Sequence, residues 1–446
     1  MNNKENIKIG LAETIITPKQ NLQMHGFGKS QIAEGVHDEL HSRCLIVEDA
    51  AGNRFAIISI SVVELNSGKI PKIIRRKIAE EINIHEEAIL LSCTHTHSGP
   101  EVEIAPYDYQ EFFINQIVES AKLANRKLVP AKIGIGKTVQ LEVGKNRRRL
   151  PYGGLHPDPE LDIIRIEDIS GKLQGVLFSY GCHPATLDWK NRLYSEDWPY
   201  FAIKGIKEHV GKDVWVCYLQ AAQGNINTGY DSLLSAIGAD MQVRNYAYIK
   251  YKGKQMSDSV LEILSDIKVK SNLTVEVVNK YFPLPLRKEF PVTLEEAKRN
   301  LKTAKKKLSE IENEAKYKSS RKLDSYRTQV ISAEQTFELA KEFYSGELQD
   351  SEIVESQVFR VGDIVFFSLP GEVFSEIALS IKKQSPFNNT IPVGLANCRW
   401  EYMPTKEEFI EGDYEVDGSK YSPEVAEVFI NSTLKIINFL YAQEKN

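Results

Sequence analysis

Residues 88–100 read Ala88-Ile89-Leu90-Leu91-Ser92-Cys93-Thr94-His95-Thr96-His97-Ser98-Gly99-Pro100. The apolar run that opens this stretch is read as a buried strand, and the Gly-Pro pair then forces the chain to turn. At i and i+2, His95 and His97 are expected to share one face of the strand end. Imidazole is the commonest metal ligand and the usual proton carrier near neutral pH. Two imidazoles on a rigid strand end therefore predict a metal or acid–base site, or else two surface histidines on an edge strand.

Outward from this stretch, strand-like and helix-like segments alternate. Strands are expected over 54–63, 88–93, 133–143, 161–169, 173–182 and 214–219, and helices over 69–82, 109–124 and 200–209. Further on, strand character resumes over 353–369, broken by a Gly362-Asp363 turn, and a closing helix is expected over 424–440. This alternation predicts an α/β fold with active groups at strand ends.

One segment stands apart. Thr293-Leu294-Glu295-Glu296 has the spacing of a capping box. Apolar residues then fall at Leu294, Ala297, Leu301, Ala304, Leu308, Ile311 and Ala315, and again at Leu323, Tyr326, Val330, Ala333, Phe337 and Ala340. Such 3,4 spacing predicts two helices packed as an antiparallel hairpin, inserted over residues 291–345. Its seam is expected to bury against itself. Its outer face is left for a substrate cleft or a dimer contact.

Of the 446 residues, 42% are hydrophobic and 26% charged, which is ordinary for a globular protein. The net charge is −5, from 61 acidic and 56 basic residues. It offers no general field for nucleic acid or an anionic membrane. The cysteines, Cys44, Cys93, Cys182, Cys217 and Cys398, are an odd, sparse set that predicts free thiols rather than a disulfide framework. The polar N-terminus lacks an apolar core segment, and no run of eighteen apolar residues occurs, so a cytoplasmic protein without a transmembrane segment is expected.

Two more segments carry chemistry. Residues 178–186 end a strand in Gly181-Cys182-His183-Pro184, placing an imidazole where the backbone must turn. His183 is either a core histidine or a second nitrogen ligand. Catalytic zinc takes about three protein ligands and keeps a position open. Glu372, after a buried strand and Pro370-Gly371, is a candidate carboxylate donor, or a plain glutamate at a helix start.

Several blocks together resemble the neutral (non-lysosomal) ceramidases, zinc amidases that hydrolyse the N-acyl bond of ceramide. They are residues 10–18, the Thr-His-Thr-His-Ser-Gly-Pro stretch, Asn146-Arg147, Cys182-His183-Pro184, Ser195-Glu196-Asp197, Pro370-Gly371-Glu372, Tyr402-Met403-Pro404-Thr405 and Gly412-Asp413-Tyr414-Glu415. The resemblance runs from about residue 9 to 416. It implies one large mixed-sheet α/β catalytic domain over 1–446, without the C-terminal immunoglobulin-like domain many relatives carry. It implies zinc ligation by His95, His183, Glu372 and Tyr414. It implies substrate or transition-state contacts from His97, Arg147 and Tyr402.

Asp197 is expected either to orient His183 or the site water, or to cap a helix before Trp198-Pro199. In the run Gln223-Gly224-Asn225-Ile226-Asn227-Thr228, Asn227 takes the place of a serine of the family's site loop, and Asn225 and Asn227 are expected to contact substrate. That change predicts an N-acyl substrate other than ceramide itself. The expected partner is thus a small N-acyl molecule, and homo-oligomerisation through the hairpin is the further partner reading. An esterase or lactonase on the same site, or a silent metal-containing binding protein, are the rival functions.

Overall fold

The computed structural model describes residues 6–27, 31–65, 68–149, 154–236, 244–314, 321–346, 349–397 and 401–443. Cys398 and Ala315, both named above, lie outside the described residues.

The fold is mixed α/β. Eight strands form one sheet: β1 (Lys8–Ile15), β2 (His41–Glu48), β3 (Arg54–Ile60), β4 (Ile89–Cys93), β5 (Val129–Val139), β6 (Glu160–Asp168), β7 (Leu173–Tyr180) and β8 (Trp215–Gln220), in the order β8-β7-β6-β5-β1-β2-β3-β4. β3–β4 and β7–β8 are parallel pairs, and the other neighbours are antiparallel. A second sheet runs β9 (Val275–Pro285), β10 (Ser351–Val361), β11 (Ile364–Ser368) and β12 (Asn389–Val393). The strands at 41–48 and 275–285 and the helix Tyr246–Leu264 were not among the elements expected from sequence.

Helices cover the sheets by their apolar stripes. α1 (Lys69–Ile82) buries Ile70, Ile74, Ile78 and Ile82, a spacing of four that keeps one face on the core. With α2 (Tyr107–Arg126) it packs on β1–β4. α3 (Trp198–Val210) and α4 (Tyr246–Leu264) cover β6–β8, with Trp198, Ile203, Ile206, Met256 and Val260 buried between. No helix among the described residues is long and apolar enough to cross a membrane.

The two ends of the large sheet curl toward each other. Ser59 Oγ on β3 donates to the Tyr218 carbonyl on β8 at 2.7 Å. Gln220 Nε2, at the end of β8, donates to the Thr94 carbonyl at 2.9 Å. The chain after β12 joins both, because Gly394 N donates to Gln220 O at 2.8 Å and Ala396 bridges Ser92. The C-terminal ends of β4, β7, β8, β11 and β12 are thereby gathered in one place, where side chains from distant sequence can meet.

The inserted hairpin consists of α5 (Leu294–Glu312) and α6 (Arg321–Ser345). Thr293 and Glu296 form the expected capping box. Cross-contacts of Lys305 with Glu334, Arg327 with Glu312 and Tyr344 with Val292 fix the two helices antiparallel. Ala297, Ile311, Leu323, Val330 and Ala340 are buried, so much of the apolar stripe is used within the chain.

Candidate metal and acid–base site

Each candidate ligand follows a strand end by two to four residues. β4 stops at Cys93, and the Thr94 and His95 amides then bond Ile60 O and Val62 O. His95 has φ +69°, a left-handed conformation that costs a non-glycine residue about 1–3 kcal/mol and survives only when its surroundings enforce it. His95 and His97 therefore do not share a strand face, as the sequence had suggested. Their rings meet edge to face with centroids 4.9 Å apart. His183 follows β7. Glu372 follows β11 and sits in register with Tyr402 in a short parallel pair. The turn before Glu372 needs glycine. Gly371 has φ +128°, and a Cβ there would lie 2.5 Å from the Glu401 carbonyl oxygen.

The ligand atoms face one another with their donors removed. His95 Nδ1 lies 3.0 Å from the Val63 carbonyl and His183 Nδ1 lies 2.8 Å from the Ile226 carbonyl. A carbonyl only accepts, so each Nδ1 carries the ring proton and each Nε2 offers a lone pair. Those two Nε2 atoms lie 3.5 Å and 2.9 Å from the same Glu372 oxygen, Oε2. Burial holds His95 down at about 4 and lowers His183, so neither ring is cationic at neutral pH. Burial works to raise Glu372, yet the positive charge that His95 and His183 take up in acid, with that of Arg147, holds it at about 2, so it is already anionic where both rings are neutral. Two lone pairs and one anionic oxygen, all buried, converge on one point where a bound cation would meet all three, while Arg147 Nη1 reaches the His183 lone pair at 3.3 Å. Nitrogen and carboxylate donors in this number suit a borderline divalent metal.

Around this point stand three more expected residues. Arg147, completely enclosed, donates from Nε to Glu415 at 2.7 Å and from Nη2 to the Tyr402 hydroxyl at 3.0 Å, while its Nη1 lies 3.3 Å from His183 Nε2. Burial alone would weaken its charge, but Tyr402, Glu415 and Glu372 keep it above the ordinary arginine value. Burial, then the Glu372 charge, push the Tyr402 phenol well up and the Tyr414 phenol to about 12. The two tyrosine rings are 5.8 Å apart. Gly224 packs against the site's rear, since a Cβ there would fall 2.3 Å from the Glu372 carbonyl oxygen.

His97 differs from the other two histidines. The nearest ligand atoms of His95, His97 and His183 lie within 4.8 Å of one another. Yet among the described residues neither buried His97 nitrogen has a hydrogen-bond partner, and no carbonyl orients the ring. Burial, then His95, His183 and His25, hold it well below the usual histidine range.

Three expected site residues turn out to serve the scaffold. The Asp197 carboxylate accepts from the backbone amides of Thr186, Leu187 and Trp198, at 2.9, 3.0 and 2.7 Å. It caps α3 and fixes the turn behind His183, whose own Nδ1 partner is Ile226. Asn227 closes its own turn, accepting from Gly229 N and Tyr230 N and donating to Tyr230 O. Asn225 accepts from Ser375 N and donates to Glu376. Both asparagines are fully buried with these bonds made.

Residues 7–215 match the family described as neutral/alkaline non-lysosomal ceramidase, N-terminal. The neutral ceramidase of Drosophila melanogaster is 27% identical over 215 residues, covering 43% of this chain and 30% of that protein. The neutral ceramidase of Pseudomonas aeruginosa is 24% identical over 215 residues, 43% of this chain and 32% of that protein. The crystal structure of neutral ceramidase from Pseudomonas aeruginosa superposes with a TM-score of 0.71 at 18% identity, covering 97% of this chain and 75% of that one. Residues 7–215 are thus similar to the neutral/alkaline non-lysosomal ceramidases, and the chain shares the fold of the Pseudomonas aeruginosa enzyme. The sequence alignment to these ceramidases spans about a third of their length, and the structural likeness extends the ceramidase fold over nearly the whole chain.

Within this ceramidase-type fold, three acids were missed from sequence. Glu415 is fully buried and pairs with Arg147 and Arg148. Arg148 and Arg149 also reach Glu408, so the triple-arginine run is paired with acids of its own chain, Arg149 at the surface. A buried arginine demands an acid, and that rule pointed to Glu415 within the quoted block. Glu196 accepts from Arg43, Ser61 and His41 beneath the sheet. Glu64, beside His25 at 3.7 Å, is pushed well up by burial and the Glu372 charge. Nothing in the sequence marked it.

Proposed function

We propose that the chain is a metal-dependent hydrolase of N-acyl amide bonds, with Zn2+ as its metal and a substrate other than ceramide. The observation that carries this reading is the buried convergence of His95 Nε2, His183 Nε2 and Glu372 Oε2, with both Nδ1 atoms tied to carbonyls. These three hold the metal, and Tyr414 is the fourth ligand. When bound, such an ion supplies Lewis acidity that polarises a carbonyl and makes water acidic enough to attack near neutral pH.

The remaining steps belong to this chain's own groups. Arg147, locked by Glu415, orients the Tyr402 hydroxyl by donating to it. Tyr402 keeps its proton at neutral pH and donates it as a hydrogen bond to the developing oxyanion, alongside the Arg147 guanidinium. His97, neutral and with no partner among the described residues, takes the proton given up by the attacking water at a ring nitrogen and delivers it to the departing amine, which cannot leave as an anion. Burial of the whole set strengthens each of these interactions.

The test is metal content together with hydrolysis of a panel of N-acyl amines, N-acyl amino acids and esters, with and without chelator. The reading expects close to one zinc per chain, lost in His95→Ala, and amide hydrolysis that chelator abolishes. Full zinc in His95→Ala, or hydrolysis of esters with no amide cleaved, overturns it.

A further inference from the structure

A cleft of about 1700 Å³ opens between α1 and the inserted hairpin's α6. Its floor is the edge of the second sheet, around Glu352 and Glu355, and its inner end is lined by Gln335, Pro370, Glu401 and Gly418. That inner end abuts the metal site. The Glu401 carbonyl accepts from Glu372 N at 2.9 Å, and the Gln335 side chain bonds the Tyr414 hydroxyl.

The lining is ionic. Charged side chains make up 13 of the 27 residues around the cleft. Many are held in place: Glu355 accepts from Arg75 at 2.7 and 2.9 Å, and from Asn279 and Asn397 at 2.7 and 2.6 Å. Lys420 spans Glu352 and Glu401. A long hydrocarbon chain laid here would strip water from these ions, a cost at every charge desolvated. Its own burial cannot offset that against so ionic a lining. A ligand with hydroxyls or charges exchanges water hydrogen bonds for protein ones and meets no such penalty. One group asks for such a ligand directly. Gln335 Oε1 is buried and finds no hydrogen-bond donor among the described residues.

We propose that this cleft holds a hydrophilic part of the substrate, whose O–H or N–H donates to Gln335 Oε1. The substrate class is then an N-acyl amine bearing hydroxyl or charged groups, such as an N-acylated amino sugar or amino acid, in place of two long hydrocarbon chains. This rests on the N-acyl hydrolase reading above and adds the part of the molecule that the hairpin selects. Leu339 and Arg76 project into the cleft from its two walls, and Arg76 is exposed on α1.

The experiment measures kcat/KM of the zinc-loaded full chain on N-acetylated amino sugars, N-acetyl amino acids and long-chain ceramide in mixed micelles. The expected result is at least a tenfold preference for one hydrophilic class. That preference should fall at least tenfold in Leu339→Trp, which fills the cleft, and in Arg76→Glu, a surface change that leaves the fold intact as checked by melting. Ceramide preferred or equal, or a preference unmoved in both variants, overturns the proposal while leaving the hydrolase reading standing. No hydrolysis of any amide by the zinc-loaded chain overturns both.

Discussion

Replacing Glu372 by glutamine changes one oxygen into an NH2 group with almost no change in shape. With metal present the expected effect is a loss. A site held at 1,000 times its dissociation constant stabilises the fold by about 4 kcal/mol. The unfolding entropy of a 446-residue chain is roughly 0.9 kcal/mol per kelvin at about 2.1 cal/mol/K per residue, so saturating Zn2+ should raise the wild-type melting point by about 4 °C. Glu372→Gln should lose most of that rise. In chelator the sign reverses. The wild-type protein then sets an anionic oxygen 2.9 and 3.5 Å from two imidazole lone pairs, whereas the carboxamide donates to His183 Nε2. A buried repulsion becomes a hydrogen bond, worth about 1–2 kcal/mol, or about 1–2 °C. Thermal melts of both proteins in Zn2+ and in chelator, with metal content by mass spectrometry, decide the matter. A variant that keeps its zinc, or that melts below wild type in chelator as well, refutes the argument that these three atoms await a cation.

Four shorter predictions follow from the same geometry. His97→Ala should lower kcat by about 10²–10⁴ while leaving zinc content at wild type; lost zinc would make His97 a ligand instead of a proton carrier. Glu196→Gln leaves the buried Arg43 guanidinium with Glu13 as its remaining anion and should cost up to about 3 kcal/mol in chemical denaturation. Arg43 and His41 hold the Glu196 carboxyl far below the usual range, so its stabilisation is present above the unfolded carboxyl value near ~4.3 and is lost as pH falls further. Wild type should therefore show a steeper acid loss than Glu196→Gln, and parallel acid profiles would contradict the assignment. Gly224→Ala drives a methyl into the Glu372 backbone and should both weaken zinc affinity and lower the melting point, measured by metal competition and calorimetry. Asn227→Ser removes bonds that close its own turn, so stability should drop by about 1–2 kcal/mol with the substrate profile unchanged; a profile shifted toward ceramide would restore Asn227 to the site.

The residues that converge were legible because each sits at the end of an apolar strand beside glycine or proline. Such punctuation marks strand ends, and strand ends are where α/β folds gather their chemistry. The orientation of those residues was not legible. Whether His95 lay on a strand face or in a left-handed turn depends on amides bonding to residues 60 and 62, which are far from it in sequence. The roles of Asp197, Asn225 and Asn227 stayed open for a related reason. A polar side chain near a site either points into it or stitches the loop that carries it, and residue type does not distinguish the two. The helical hairpin was legible down to its cap, because 3,4 spacing and a capping box are local signals. The cleft it builds with α1 depends on how the hairpin leans on the domain, which no local signal records.

β9 and β10 pair along their whole length, from Val275 opposite Val361 to Pro285 opposite Ser351. Residues 286–350, hairpin included, thus leave and re-enter the fold at adjacent rungs of one ladder. Closing so long an excursion adds little entropy over a tight turn, since the cost grows only with the logarithm of length. The segment is therefore a cassette. Evolution or an engineer can exchange it for another hairpin while the strand ends that carry His95, His183 and Glu372 keep their places, provided the replacement still supports Tyr414 as Gln335 does. One wall of the cleft is in this sense separable from those three residues and tied to the site through Tyr414.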